Sequence, residues 1–202
     1  MNSIIKYLDE LIPNPVCELN YSKDYELLIA VMLSAQSTDK RVNEVTKVLF
    51  NKYNSLSMLA SANIEDIKSI IRSVGTYNRK ASNVIEISKK LLQYNSVPNN
   101  RELLESLPGV GRKTTNVVLG IIYNEPCIAV DTHVERVSKR LGLANSNDNV
   151  LEVEEKLNKL IPDNNKMRLH HQLLLFGRYY CKAKNPLCDS CKLKRICKKT
   201  SN

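Results

Sequence analysis

Apolar residues recur along this chain at spacings of three and four. Nowhere do they alternate convincingly in the period-two pattern of a strand. Ile4, Tyr7, Leu8, Leu11 and Ile12 mark a first helix, which Ser3 caps and Pro13 and Pro15 end. Residues 25–35 are apolar nearly all round, the pattern of a central buried helix. Gln36, Ser37, Thr38 and Asp39 interrupt it, and Thr38 caps a helix whose face is Val42, Val45, Leu49 and Tyr53. A short helix over 56–60 follows, and then another that Asn63 opens. Residues 75–80 read as a turn leading to a helix through Val84, Ile87 and Leu91. Beyond Pro126 the pattern predicts a helix opened by Asp131, one over 149–161 and one over 167–180. The whole is an all-α chain of ten or eleven helices, with no low-complexity linker and only a loose echo between the turns at Gly75 and Gly109.

Leu107-Pro108-Gly109-Val110-Gly111-Arg112-Lys113 breaks this pattern most sharply. Pro108 stops the helix before it, which begins after Asn100. Gly109 and Gly111 allow a tight turn and close approach of a partner. From Lys113 the residues Val117, Val118, Ile121 and Ile122 resume helical spacing to about Tyr123. The run is therefore helix, hairpin, helix over about 99–123. Unpaired backbone N–H groups at the second helix's start make it a ready anion site, and Arg112 and Lys113 add charge there.

Charge changes the picture in the same direction. Lys and Arg number 30 against 21 Asp and Glu, a net charge of +9 over 202 residues, which points to a polyanionic partner. No apolar run reaches the length of a membrane span. The first ten residues lack a signal peptide's apolar core, so a cytoplasmic protein is expected. Its six cysteines then stay reduced.

Four of those cysteines, Cys181, Cys188, Cys191 and Cys197, are spaced C-x6-C-x2-C-x5-C. Such a cluster of thiolates is a metal site. Tetrahedral zinc and an iron–sulfur cluster both use four cysteines, and one close pair with longer arms leans toward iron–sulfur. A visible absorbance band separates the two. Lys182 and Lys184 lie between the first two cysteines, so the pinned loop is suited to a phosphate backbone. Cys17 and Cys127 stand apart and are expected to pack in the core.

Lys113 and Asp131 form a candidate reacting pair. The helix from Lys113 to Tyr123 rises about 15 Å. The seven residues 124–130 span at most about 23 Å, enough to return beside the hairpin. Each residue also has a plain structural role, phosphate contact for Lys113 and a helix cap for Asp131.

Taken together, Leu-Pro-Gly-Val-Gly-Arg-Lys-Thr at 107–114, Val-Asp-Thr-His at 130–133 and the four-cysteine spacing resemble the endonuclease III family. These are bifunctional DNA glycosylases and abasic-site lyases of the helix–hairpin–helix superfamily. Leu-Ser-Ala-Gln-Ser-Thr-Asp at 33–39, and His170-His171 through Gly177-Arg178-Tyr179, match the same pattern, so the resemblance spans the chain. It implies two helical domains with DNA bound across a cleft, residues 20–128 forming one and residues 1–19 with 129–202 the other. It implies a [4Fe–4S] cluster on the four cysteines, a monomer, and excision of oxidised pyrimidines from double-stranded DNA carrying damaged bases or abasic sites.

Lys113 then becomes the amine nucleophile and Asp131 the carboxylate that helps activate it. Gly109 and Gly111 give N–H groups to phosphate, with Arg112, Lys182 and Lys184 also on the DNA. Gln36 enters the gap left by a flipped nucleotide. Asp39 and His133 match motif positions near the pocket. Two positions depart: Thr76 stands where the family usually has an apolar leucine, leaving Tyr77 to compensate as the wedge, and Thr115 replaces a usual alanine. Rival readings are a pyrimidine-dimer or adenine-mismatch glycosylase of the same superfamily, a non-catalytic hairpin DNA-binding protein, and a zinc protein with a basic tail.

Overall fold

The computed structural model describes residues 1–94 and 96–199. These form eleven α-helices and one 3-10 turn, with no strand among the described residues. In chain order the helices are α1 (Asn2–Leu11), α2 (Asp24–Leu33), α3 (Asp39–Lys52), α4 (Leu56–Ala60), α5 (Ile64–Ile70) and α6 (Tyr77–Leu91). They continue with α7 (Arg101–Glu105), α8 (Arg112–Tyr123), α9 (Thr132–Arg140), α10 (Val150–Leu160) and α11 (Asp163–Tyr179). Among the described residues no helix is long and apolar enough to cross a membrane.

Capping chemistry sets most of these boundaries. Thr38, Ser55, Asn63, Asn100, Asp131 and Asn149 each accept a backbone N–H from the first turn of the helix they precede. Three expectations change. Ser3 lies inside α1, whose N-cap is Met1. Helix α6 begins at Tyr77, so the last four residues of the expected turn at 75–80 are helical. Helix α11 begins at Asp163 rather than Met167, because Pro162 presets the helix start and Asp163 pairs with the buried Lys166 at 2.7 Å.

The chain divides into two compact units, Cys17–Tyr123 and Met1–Val16 with Asn124–Asn202. The first is built around α2, which is buried from Glu26 to Leu33 and packs on α3, α6 and α8. Glu26 is buried because it accepts from Ser22 N and Oγ at 2.8 Å, ahead of the helix start. Helix α6 lays Ala81, Val84, Ile87 and Leu91 into the same core. Half-buried Cys17 packs against it.

In the second unit α9 and α11 form the central pair. Gly177 permits their approach, since a Cβ there would lie 2.9 Å from the Cβ of His133. Helix α1 docks on α11 through Tyr7, edge-on to Phe176, and through Asp9, which accepts from Arg168 and from Gln172 Nε2. Cys127 is buried in the segment leading to α9, as expected of a core thiol.

Candidate functional site

The hairpin joins α7 to α8 through Ser106–Gly111. Leu107 and Val110 are buried and anchor it in the first unit's core, while Gly109 and Gly111 are exposed. The two glycines are needed for different reasons. Gly109 has φ +77°, a left-handed conformation. A Cβ there would also collide with the Asn83 side-chain amide, 2.3 Å away. At Gly111 a Cβ would meet nothing within 4 Å, so the protein's own packing does not require glycine there. The Gly111 carbonyl accepts from Thr115 N at 3.0 Å, which starts α8. The N–H groups of the first turn have no helical carbonyl to bond.

Arg112 and Lys113 are the first two residues of α8, and both are exposed. Lys113 makes no hydrogen bond or ion pair to any described residue. The same unit holds Gln36, exposed with φ +56° in the turn after α2, and Asp39, half-buried as the first residue of α3. Gln36, Thr76, Asn83 and Gly109 line one open depression, so the turn after α2 and the hairpin share a face.

In the other unit Asp131 is half-buried and caps α9. Its Oδ1 accepts from His133 N at 2.9 Å and Val134 N at 2.8 Å, while Oδ2 takes no donor among the described residues. The cap is therefore a fact of the structure, and it leaves one carboxylate oxygen for other work. His133 lies half-buried with Nδ1 3.2 Å from the Arg136 guanidinium.

The four motif cysteines line one cavity in that unit with Tyr7, Arg140 and Phe176. None of the four is in a disulfide; Cys197 is buried and the others half-buried. Burial pushes the Cys191 thiol up from its ordinary value. No three His, Cys, Asp or Glu side chains among the described residues are gathered closely enough to hold a single metal ion. Lys182 and Lys184 are exposed on the loop between the first two cysteines.

Sequence reasoning missed the two arginines that hold this loop. Arg140 donates to the Cys181, Lys182 and Ala183 carbonyls at 3.2, 2.8 and 3.4 Å, and to Cys181 Sγ at 3.3 Å. Arg136 donates to Cys181 O at 3.2 Å and Gly177 O at 2.7 Å. Burial, with Arg140 nearby, lowers the Arg136 guanidinium below its ordinary value. Their i, i+4 spacing was the available signal, because it places both on one face of α9.

Comparison with known proteins gives a consistent result. Residues 29–163 match the model of the HhH-GPD superfamily base excision DNA repair protein family. The chain is 46% identical over 193 residues to endonuclease III of Bacillus subtilis (strain 168), covering 95% of this chain and 88% of that one. A trapped endonuclease III–DNA covalent intermediate, an estranged-adenine complex, superposes with a TM-score of 0.92 at 46% identity. That match covers 99% of this chain and 96% of the other. A non-covalent endonuclease III–DNA complex superposes with a TM-score of 0.94 at 45% identity, covering 99% and 94%.

The contrast between the hairpin glycines is measurable. Gly109→Ala should lower the free energy of unfolding by about 1–2 kcal/mol for the left-handed backbone, and more if Asn83 cannot move aside. Gly111→Ala should leave it within about 0.5 kcal/mol. Urea denaturation of both variants checks this, and equal losses would contradict it.

Proposed function

This chain belongs to the endonuclease III family of the HhH-GPD base excision repair superfamily, and on that premise we propose which residues carry its chemistry. The protein is a DNA glycosylase and abasic-site lyase that acts on damaged double-stranded DNA. Its lesions are oxidised pyrimidines, as the family resemblance implies. Lys113 is the nucleophile. The observation that carries this reading is its place: exposed in the first turn of α8, directly after the hairpin, and held by no other group among the described residues.

A base stacked in a duplex must leave the stack before an amine can reach its sugar. The neutral Lys113 amine forms a bond to C1′ as the bond from C1′ to the base breaks, and the base leaves with that electron pair. Opening of the sugar ring gives a Schiff base between Nζ and C1′. Loss of a proton from C2′ then expels the 3′ phosphate, which cuts the strand 3′ to the lesion. Asp131 accepts the proton that Lys113 must shed and steadies positive charge at the sugar. Its Oδ2, which takes no donor among the described residues, is the oxygen available for this. Asp39 and His133 serve the pocket that receives the base.

Gly109, Gly111 and the first turn of α8 hold a phosphate through backbone N–H groups, with Arg112 beside them. Gly111 supports this role, because no packing within the protein accounts for glycine there. Gln36 fills the space that the flipped nucleotide vacates.

Cys181, Cys188, Cys191 and Cys197 hold a [4Fe–4S] cluster. Their common cavity and thiol donor set suit such a group. The bound cluster supplies a four-point covalent anchor, which fixes Lys182 and Lys184 against DNA. Arg140 and Arg136 prepare the loop by satisfying its carbonyls.

Two measurements test these roles. Lys113→Gln should abolish strand cleavage at abasic sites while binding to abasic DNA persists in a chain of net charge +9. Asp131→Asn keeps the cap and removes the charge, so base excision should slow about 10²-fold, or ~3 kcal/mol, with little loss of stability. Cleavage at a preformed abasic site should slow less, because no base departs. Normal excision by Asp131→Asn would return Asp131 to capping alone.

The grip should also be electrostatic. If about four phosphates are neutralised, log affinity should fall against log salt with a slope of about −3.6. Replacing Lys182 and Lys184 by Ala together should flatten that slope and weaken binding to all duplexes alike. An unchanged slope would remove the loop from the interface.

A further inference from the structure

Lys80 is a lysine only 4 % exposed, on a helix face that otherwise carries Ala81, Val84, Ile87 and Leu91. A buried ammonium is unfavourable unless its donors are satisfied. Lys80 Nζ donates to the Leu33 carbonyl at 2.9 Å and to the Ala35 carbonyl at 2.6 Å. Leu33 ends α2 and Ala35 lies two residues beyond it, where helical carbonyls lack partners and the helix dipole favours a cation. Burial first, and Arg79 second, lower the ammonium's pKa from its ordinary value.

The backbone of the same residue reaches a second turn. Lys80 N donates to the Thr76 carbonyl at 3.1 Å. Thr76 and Gln36 are both non-glycine residues with φ +56°, and both are exposed. For a β-branched residue such as Thr76 that conformation is strained, and it persists only where its surroundings hold it. Gly75 N donates to Ser37 Oγ at 3.1 Å, and a Cβ on Gly75 would lie 3.3 Å from the Gln36 carbonyl. The turn after α2 and the turn before α6 thus lie against each other. Lys80 is bonded to both, and Gln36 and Thr76 open onto the depression beside Gly109.

We propose that Lys80 is a positioning residue for base flipping: its side chain fixes the turn that presents Gln36, and its backbone holds the neighbouring turn at Thr76 on which that turn rests, so that Gln36 enters the duplex already placed. This rests on the reading of Gln36 as the residue that fills the vacated space. A preset Gln36 lowers the entropy lost on insertion, which matters when a stacked, paired base must be displaced. It matters less at an abasic site, where no base has to move. Lys80 touches no substrate and acts through the turn that carries Gln36. A merely structural cap would instead lower stability and slow every step together.

The test compares single-turnover base excision from an oxidised-pyrimidine duplex with strand cleavage at a preformed abasic site. The holoenzyme is used with Lys80→Met, Gln36→Ala and the double variant. Methionine keeps the length and removes the donors. Lys80→Met should lower the ratio of excision to cleavage roughly 10- to 100-fold. In the Gln36→Ala background it should lower the ratio much less, because the group it positions is gone. A proportionate loss of both activities that follows the loss of thermal stability would overturn the proposal, and so would effects that multiply in the double variant. Should Lys80→Met not fold, Ser37→Ala removes the Gly75–Ser37 bond without emptying the core. A smaller fall in the ratio supports the proposal, and an unchanged ratio overturns it. If Gln36→Ala lowers the ratio and Lys80→Met does not, the inference about Lys80 fails by itself. If Gln36→Ala leaves the ratio unchanged, the reading of Gln36 fails and the proposal falls with it.

Discussion

An α-helix cannot bond its own first N–H groups or its own last carbonyls, and the residues proposed to react or to meet DNA lie where that deficit falls. Gln36 follows the end of α2, Thr76 stands just before α6, Gly111 opens α8 and Asp131 caps α9. Each end is completed differently. Lys80 satisfies the α2 carbonyls from a neighbouring helix. Asp131 satisfies α9 from its own side chain and keeps one oxygen over. The first turn of α8 is the one proposed to meet a phosphate. Fixed dipoles and donors of this kind need no rearrangement when an anion or a charged transition state arrives, which is why they suit both DNA binding and catalysis.

The cysteine loop answers a different constraint. Residues 181–197 bury few side chains, Leu193 and Cys197 among them, too few to fix a loop by burial. Hydrogen bonds from Arg136 and Arg140 supply part of the order, and thiol ligation is the proposed remainder. Helix α1 contributes from the start of the chain. Tyr7 lines the cavity, and Lys192 pairs with Glu10 at 2.7 Å. Ordering the loop in this way would hold its exposed lysines in place without a hydrophobic core of the loop's own.

Much of this was legible from spacing alone, because the signals were local. Caps at Thr38, Asn63, Asn100 and Asp131, and the hairpin between Pro108 and Lys113, each depend on a few adjacent residues. What stayed hidden depends on residues far apart in sequence. Lys80 was read as part of a turn, although its spacing to Val84, Ile87 and Leu91 marked the buried face. Only the carbonyls at Leu33 and Ala35, more than forty residues earlier, explain a lysine there. Gly111 and Gly109 looked equivalent until the packing around each was visible. The start of α11 was missed because Asp163–Lys166 carries no apolar period, while its helix is held by a proline start and an ion pair.

The central claim is that one amine, Lys113, attacks the sugar. Incubating the holoenzyme with abasic-site DNA under borohydride freezes the Schiff base as a stable amine. Proteolysis and mass spectrometry then locate the residue that carries the sugar remnant. The account predicts the mark on Lys113 and on no other lysine. A mark on another lysine or on the N-terminal amine, or no covalent product at all, would contradict it.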